Sequence, residues 1–440
     1  MDKIKFSILD EATIDTEILN GIADVVARGA FTLGREVAEF EAAFANFVGA
    51  PHAIGVNSGT DAIKLALMAC GIKAGDHVVV PANTFVATAG AAVELGCRII
   101  WCDVDPITNL IDLDKLEPIL VHDQPAAVIP VHWAGRPVDM KRLSHMVSQH
   151  HYIGPRPVVV EDACQALGAD GDAEKVGICR YSDAAAYSLH PLKNLHVWGD
   201  GGMVTTKAAM TDATIRLLRN HGLQGRDTVE RWGVNSRLDT IQAVVGLAAM
   251  GDLGAAIERR RRTAAAYSAE LLEAAAVTTL FDDTSAWHLY QFHVQSGLRD
   301  DLVRHLNERG IEARVHYPVP LYRQPCAAGF LPHEPYKASP FPGADSFCAT
   351  NVTLPIHDRI GEAEIKRIVL EVKRFFDEGR YSRAEALNMA EYGHSIPISE
   401  AYAQVITKQT SEAREERRRE VEGALKLFTQ MAKDYLDANG

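Results

Sequence analysis

Ser188-Leu189-His190-Pro191-Leu192-Lys193-Asn194, running into Gly199-Asp200-Gly201-Gly202, is the stretch on which the reading of this 440-residue chain turns. Lysine side chains are ordinarily solvated, yet Lys193 is flanked by Leu192, Leu195 and Trp198 and followed by glycine-rich backbone, which is no setting for a free surface amine. In an apolar pocket the ammonium form loses hydration, so the amine deprotonates more readily. Upstream, Glu161-Asp162-Ala163-Cys164-Gln165 supplies a carboxylate and an amide. An accessible amine paired with an acid is the equipment for a Schiff base with pyridoxal phosphate, because that cofactor is a good electron sink only while a carboxylate keeps its ring nitrogen protonated. Lys193 and Asp162 are the candidate catalytic residues.

Working outward, short β-branched runs alternate with helical patterns between Ala53 and Thr206, which predicts a parallel sheet flanked by helices. Candidate strands include His77-Val78-Val79-Val80, Arg98-Ile99-Ile100-Trp101, Ala127-Val128-Ile129-Pro130 and Pro157-Val158-Val159-Val160. Their unbroken apolar character suits strands covered on both faces. Ligands of such sheets sit at the carboxyl ends of strands, and Phe85, His132 and Asp162 fall just after these runs. Ser58-Gly59-Thr60 lies between the strand-like Ala53-Ile54-Gly55-Val56 and a helical run from Asp61 to Ala69. Backbone N–H groups at such a helix start receive a phosphate, although a short Ser-Gly-Thr also serves as a plain helix cap.

With Pro81-Ala82-Asn83-Thr84-Phe85, Pro130-Val131-His132, Gly233-Val234-Asn235-Ser236-Arg237 and His316-Tyr317-Pro318 added, the chain resembles the DegT/DnrJ/EryC1/StrS family of sugar aminotransferases from about Phe31 to about Phe376. The resemblance implies the pyridoxal-phosphate-dependent transferase fold type I. That fold has a large α/β domain with a mostly parallel seven-stranded sheet flanked by helices, and a smaller α+β C-terminal domain. Here residues 1–250, including an N-terminal arm, would form the large domain, 251–379 the small one and 380–440 a helical extension beyond the family pattern. It further implies that Ser58, Gly59, Thr60 and Ser188 form the phosphate cup, that Phe85 lies on the ring face, and that Gln165 is close to the ring hydroxyl. Asn235 would reach the phosphate of a partner subunit, making a homodimer with composite sites. Loop residues that would meet the substrate are Phe31, Trp133, Arg136, His190, His196, Trp198, His316 and Tyr317. A deoxygenating branch of the family carries histidine where this chain has Lys193, so lysine favours transamination. The implied reaction takes an amino group from L-glutamate (or glutamine), leaves pyridoxamine phosphate, and delivers the amine to a keto-sugar. A nucleotide-linked keto-deoxyhexose is the first choice of acceptor, with a keto-sugar phosphate or a keto-cyclitol as alternatives.

Composition narrows the other classes. Hydrophobic residues make 47% and charged residues 23%, which indicates neither disorder nor a membrane span. A net charge of −13 argues against nucleic acid and anionic membranes as partners. The run Arg259-Arg260-Arg261-Arg262 reads as a solvated helix face. The N-terminal Met1-Asp2-Lys3-Ile4-Lys5-Phe6 lacks a secretory signal's apolar core, so a cytoplasmic location is expected. Seven cysteines without a Cys-x-x-Cys pair predict reduced, mostly buried thiols and no metal site, with Cys164 as a small wall residue.

Beyond Ser236 the pattern predicts a helix through Glu273, a strand over His288–Val294, a helix over Asp300–Arg309 ended by Gly310, a strand over Ala313–Tyr317 and an amphipathic helix over Glu362–Phe376. A charged helix is predicted over Glu412–Leu436. A rival from another class is a non-catalytic pyridoxal-phosphate-binding sensor, which would be expected to lose the lysine or gain a basic DNA-binding appendage.

Overall fold

The computed structural model describes residues 3–8, 16–171, 174–272, 277–279, 281–330 and 339–378. The predicted C-terminal extension and its helix over Glu412–Leu436 lie outside them.

Seven strands form the main sheet: β1 (His52–Val56), β2 (His77–Pro81), β3 (Arg98–Cys102), β4 (Ala127–Val128), β5 (Val158–Asp162), β6 (Ala184–Ser188) and β7 (Gly202–Thr206). Their spatial order is β1-β7-β6-β5-β4-β2-β3. Neighbours from β6 to β3 run parallel. β7 is antiparallel to both β1 and β6, so it alone runs against the others. The carboxyl ends of six strands and the amino end of β7 therefore share one edge, which is where such sheets place ligands.

The apolar runs have partners on both sides. Val78 and Val80 pack with the helices Gly59–Ala69 and Val86–Glu94, whereas Val79 between them packs with Leu116, Leu120 and Leu143 on the opposite face. All three valines are fully buried. Strand alternation thus produces an unbroken hydrophobic run where both faces are covered. Under the strand ends on one side, Phe40, Phe44, Tyr187 and Leu238 form a further core.

A second, antiparallel sheet comprises β8 (Val277–Thr279), β9 (Tyr290–Val294) and β10 (Asn351–Leu354). The helices Leu253–Leu272, Arg299–Glu308 and Glu362–Glu378 accompany it around a core of Tyr267, Tyr290, Phe292, Leu306 and Val372. The N-terminal Ile4 joins this core and bridges to Ile311.

Three expectations are corrected. The helix predicted from Ser236 to Glu273 is two helices, Thr240–Met250 and Leu253–Leu272, separated at Gly251. Ala313–Tyr317 is no strand: Arg314 makes a single bridge to Thr353, and the approach to Pro318 provides no further ladder. The arginine run is not a solvated face, because Arg259, Arg260 and Arg261 are each half-buried and bonded to groups outside their own helix. Charge patterning could not reveal these acceptors, most of which are backbone carbonyls distant in sequence.

Candidate active site

The shared edge of the sheet opens into a cleft of about 640 Å³. At one end lies the start of the helix Gly59–Ala69. Ser58 Oγ accepts the N–H of Asp61 at 3.1 Å and caps this helix. A Cβ on Gly59 would come 2.7 Å from Ser188 Cβ, and one on Gly202 would come 2.2 Å from the Ser58 carbonyl oxygen. Bare backbone at these two positions lets β6, β7 and the helix start converge into a cradle. Ser58, Gly59, Thr60 and Ser188 all line it, and the chain supplies hydroxyls and unpaired helical N–H groups of the kind that hold a phosphate.

Lys193 sits on a turn just past β6, closed by its N–H to the His190 carbonyl at 2.8 Å. Its side chain lines the cleft, half-buried. Loss of hydration lowers its pKa below that of an ordinary lysine, and the nearby Cys164 and Asp162 oppose the shift only in part.

Asp162, at the end of β5, is 6% exposed. Thr88 Oγ1 donates to its Oδ2 at 2.7 Å and the Cys164 N–H donates to its Oδ1 at 3.1 Å. Its sequence neighbour Glu161 faces the other side of the strand. The N–H of Val138 donates to His132 Nδ1 at 3.0 Å, so the ring hydrogen is on Nε2 and donates to Glu161 at 2.9 Å. The His132 backbone N–H also holds the Asp162 carbonyl at 3.1 Å. Thus the landmark His132 fixes the strand behind the carboxylate without itself lining the cleft.

Gln165 Oε1 accepts the N–H of Ala134 at 2.7 Å, leaving the amide's NH₂ end toward the cleft it lines. Phe85, half-exposed on the wall, faces Tyr317 with ring centres 6.1 Å apart. His316 Nδ1 bonds Thr353 Oγ1 at 3.1 Å, and Phe6 stacks on its ring. Burial, with Arg314 and Lys193 adding to it, depresses His316 to about 4. Burial raises the Tyr317 phenol, so it stays protonated. Burial likewise raises the Cys164 thiol, which suits a wall residue and not a nucleophile.

His190, His196, His316 and Tyr317 line the cleft as expected of substrate-facing residues. Other expected residues are elsewhere. Trp133 is fully buried, donates to Gln291 Oε1 at 2.7 Å and backs Tyr317 edge-on, so it supports the wall instead of forming it. Arg136 packs over Trp287, its Nε 3.7 Å from Asp282, also away from the cleft lining. Phe31, Trp198 and Asn235 are exposed and line no part of this chain's cleft.

Sequence reasoning passed over Thr88, His288 and Arg260. Thr88 could have been noticed from Thr84, four positions earlier, whose hydroxyl lies 2.9 Å from its own. His288 and Arg260 belong to distant segments that only the fold brings to the cleft.

The residues present fit pyridoxal phosphate: an anion cradle at one end, a partly desolvated amine, and a carboxylate held from behind. Fold and site together define a fold type I pyridoxal-phosphate transferase. The chain belongs to the DegT/DnrJ/EryC1/StrS aminotransferase family, whose model matches residues 12–373. It is 36% identical over 361 residues to a Streptomyces venezuelae protein named dTDP-3-amino-3,4,6-trideoxy-alpha-D-glucose transaminase, covering 80% of this chain and 90% of that one. It is 34% identical over 363 residues to the "Pleiotropic regulatory protein" of Geobacillus stearothermophilus, covering 82% and 94%. Among solved structures, S. venezuelae DesV in complex with a ketimine intermediate superposes with a TM-score of 0.78 at 33% identity, over 85% of this chain and 99% of that one. The chain is a pyridoxal-phosphate-dependent aminotransferase.

Proposed function

We propose that this enzyme transfers an amino group from L-glutamate or L-glutamine to a keto-sugar, first among them a nucleotide-linked keto-deoxyhexose, in the making of an amino sugar. The observation that carries the reading is the opening of the Lys193 amine and the Asp162 carboxylate into one cleft beside the helix start at Gly59. The acceptor class rests on relatives such as the dTDP-sugar transaminase of S. venezuelae. Keto-sugar phosphates and keto-cyclitols are the alternatives.

Bound pyridoxal phosphate supplies the electron sink that makes an amino acid's Cα–H acidic. Lys193 would hold the cofactor through its side-chain amine, and the same amine, freed when a donor binds, would move the donor's Cα proton as base and then acid. Its lowered pKa makes the neutral amine easier to reach than that of an exposed lysine. Asp162, fixed by Thr88 and by the Cys164 N–H, places negative charge where the ring nitrogen is to stay protonated. Ser58, Gly59, Thr60 and Ser188 would hold the phosphate, Gln165 would donate from its amide, and Phe85 would offer an apolar face to the ring. Asn235, exposed and off its own cleft, serves the site of a partner subunit in a homodimer. Residues 1–250 act as the large domain and 251–379 as the small one, in a cytoplasmic enzyme. No single helix among the described residues is long and apolar enough to cross a membrane.

The regulatory name of the Geobacillus relative favours a second reading, a cofactor-binding sensor. A sensor needs only to hold the cofactor, whereas a partly desolvated lysine opening into the cleft of a fixed carboxylate also equips the site to move a proton. Both readings meet one test. Purified holoenzyme is mixed with L-glutamate and its visible absorbance followed; keto-sugar nucleotides, keto-sugar phosphates and keto-cyclitols are then supplied in turn. A spectral change with glutamate, reversed by one acceptor class, is expected. An unchanged spectrum supports the sensor.

A further inference from the structure

The far wall of the cleft carries a second charged group that the scheme above does not use. Arg260 and Arg259 are consecutive on the helix Leu253–Leu272, and their surroundings differ. Arg259 Nη2 is hydrogen-bonded to Asp252 and lies 3.5 Å from Asp358 Oδ2, so it engages both acids of that wall. Arg260 Nη1 donates instead to the backbone carbonyls of Ile356 and of Trp287, the latter at 3.3 Å. Among the described residues, no carboxylate lies within ion-pair distance of Arg260. Carbonyls orient a guanidinium but do not cancel its charge. A guanidinium presents five donors in a planar fork. Two backbone acceptors on one nitrogen leave the remainder of the fork available, and Arg260 lines the cleft.

Asp358 lends Arg260 a favourable charge from beyond ion-pair distance, but that carboxylate is already engaged by Arg259. His288, His196 and His357 line the same wall, each with an Nδ1 that is buried and without a hydrogen-bond partner. Burial, with the positive charges of Lys193 and Arg260 adding to it, holds His288 well below the ordinary histidine range and keeps it neutral. Burial lowers Arg260 to about 10, which leaves it cationic at neutral pH. Arg314, which with Arg359 also lines the cleft, is already packed over Phe6 at 4.4 Å and faces Glu312 at 3.9 Å. A half-buried, oriented cation whose nearest counter-charge is shared with a neighbour is stabilised when an anion arrives.

We infer that Arg260 is the oxyanion-binding residue of the cleft, receiving a carboxylate or phosphate group of a substrate. The inference deepens the proposed function and rests on it. A carboxylate belongs to the amino donor and its 2-oxo acid product, a phosphate to the acceptor. The two half-reactions tell these sources apart, because each admits only one of them.

Wild-type, Arg260→Gln and Arg260→Lys holoenzymes are titrated calorimetrically with glutarate and with inorganic pyrophosphate, neither of which reacts. Wild type is expected to bind at least one of them, and Arg260→Gln to bind it at least about tenfold more weakly, as when one partner of a buried charge pair is removed. Glutarate affected alone assigns the donor carboxylate, pyrophosphate alone the acceptor phosphate, and both together a shared subsite. The inference is overturned if wild type binds neither probe or if Arg260→Gln binds both as tightly as wild type. Should Arg260→Gln not fold, Arg260→Lys decides. Its affinity for the probe is expected to fall from pH 7 to pH 9 relative to that of wild type, since a desolvated lysine loses its proton at lower pH than arginine does; parallel profiles overturn the inference. A glutamate-driven absorbance change in wild type, recorded alongside, tests the aminotransferase reading separately. Its absence would refute that reading, whereas its presence with unaltered probe binding in Arg260→Gln refutes only the role of Arg260.

Discussion

At the scale of single residues, the site depends on two side chains held in unlike ways. Lys193 is anchored through the backbone of its turn, so its amine can be removed with little disturbance to the cradle or to Asp162. Lys193→Ala is therefore expected to lose roughly 100- to 10,000-fold in kcat, the range of a lost proton-transfer group, while retaining noncovalent cofactor. Dialysis followed by absorbance measures the retention, and wild-type turnover would refute the assignment. Asp162 instead depends on Thr88. Thr88→Val leaves one buried carboxylate oxygen without its donor, which is expected to cost about 1–3 kcal/mol of stability and to shift the bound cofactor's absorbance. Thr88→Ser should restore both. If Val and wild type give superimposable spectra, Thr88 does not govern Asp162.

At the scale of elements, the cradle exists because β7 runs against its neighbours and brings Gly202 to the same edge as the start of the helix Gly59–Ala69. Gly202→Ala forces a methyl group against the Ser58 carbonyl and must push the two apart. An expected loss of about 1–3 kcal/mol in stability and at least about tenfold in cofactor affinity follows, measured by thermal unfolding and equilibrium dialysis. Unchanged cofactor affinity would show that this junction tolerates movement. The strands at His77, Arg98 and Val158 were legible in the sequence because burial on both faces makes them unbroken apolar runs. β6, reading Ala184-Ala185-Ala186-Tyr187-Ser188, was not singled out, since alanines carry no strand signal of their own. Lys193, Asp162 and the Ser58 turn were legible because each combines a chemical group with a local boundary. Trp133 resembled a substrate residue by position, but its indole is satisfied by Gln291, a partner no local pattern announces. Arg260 was hidden for the same reason, within a run whose four members look alike until the fold gives them different acceptors.

For the whole molecule, the buried histidines set the acid limit of stability. Burial depresses His293 and His316 to about 4, and His288 well below its ordinary value. An unfolded histidine titrates near about 6.5. Because the unfolded chain binds these protons more readily, stability is present above pH 6.5 and is lost as pH falls from there toward 4. For His293 the loss is about 1.4 kcal/mol per pH unit across that window. Thermal unfolding between pH 7 and pH 5 should show a steep fall that is shallower in His293→Asn once compared from each protein's own pH 7 value. Parallel curves would mean His293 is not a source of it. The proposed dimer leads to a second expectation at this scale. If Asn235 completes the partner's site, Lys193→Ala and Asn235→Ala chains, each impaired alone, should recover roughly a quarter of wild-type activity when their subunits exchange freely, because a mixed dimer contains one intact site. No recovery despite demonstrated mixed dimers would return Asn235 to its own chain's site or to none.

The edge position of β1 has a consequence for how the protein comes into being. Among the described residues its sole sheet neighbour is β7, with His52 opposite Thr206 and Val56 opposite Gly202. A ribosome delivers β1 early and its partner far later, and closing so long a loop is entropically expensive until the late strand arrives. The glycine junction between Ser58 and Gly202 is therefore absent from every nascent chain shorter than that. Phosphate capture must await synthesis past Thr206, so cofactor loading is a late event in biogenesis, and shorter fragments would leave vitamin-derived cofactor free for other enzymes.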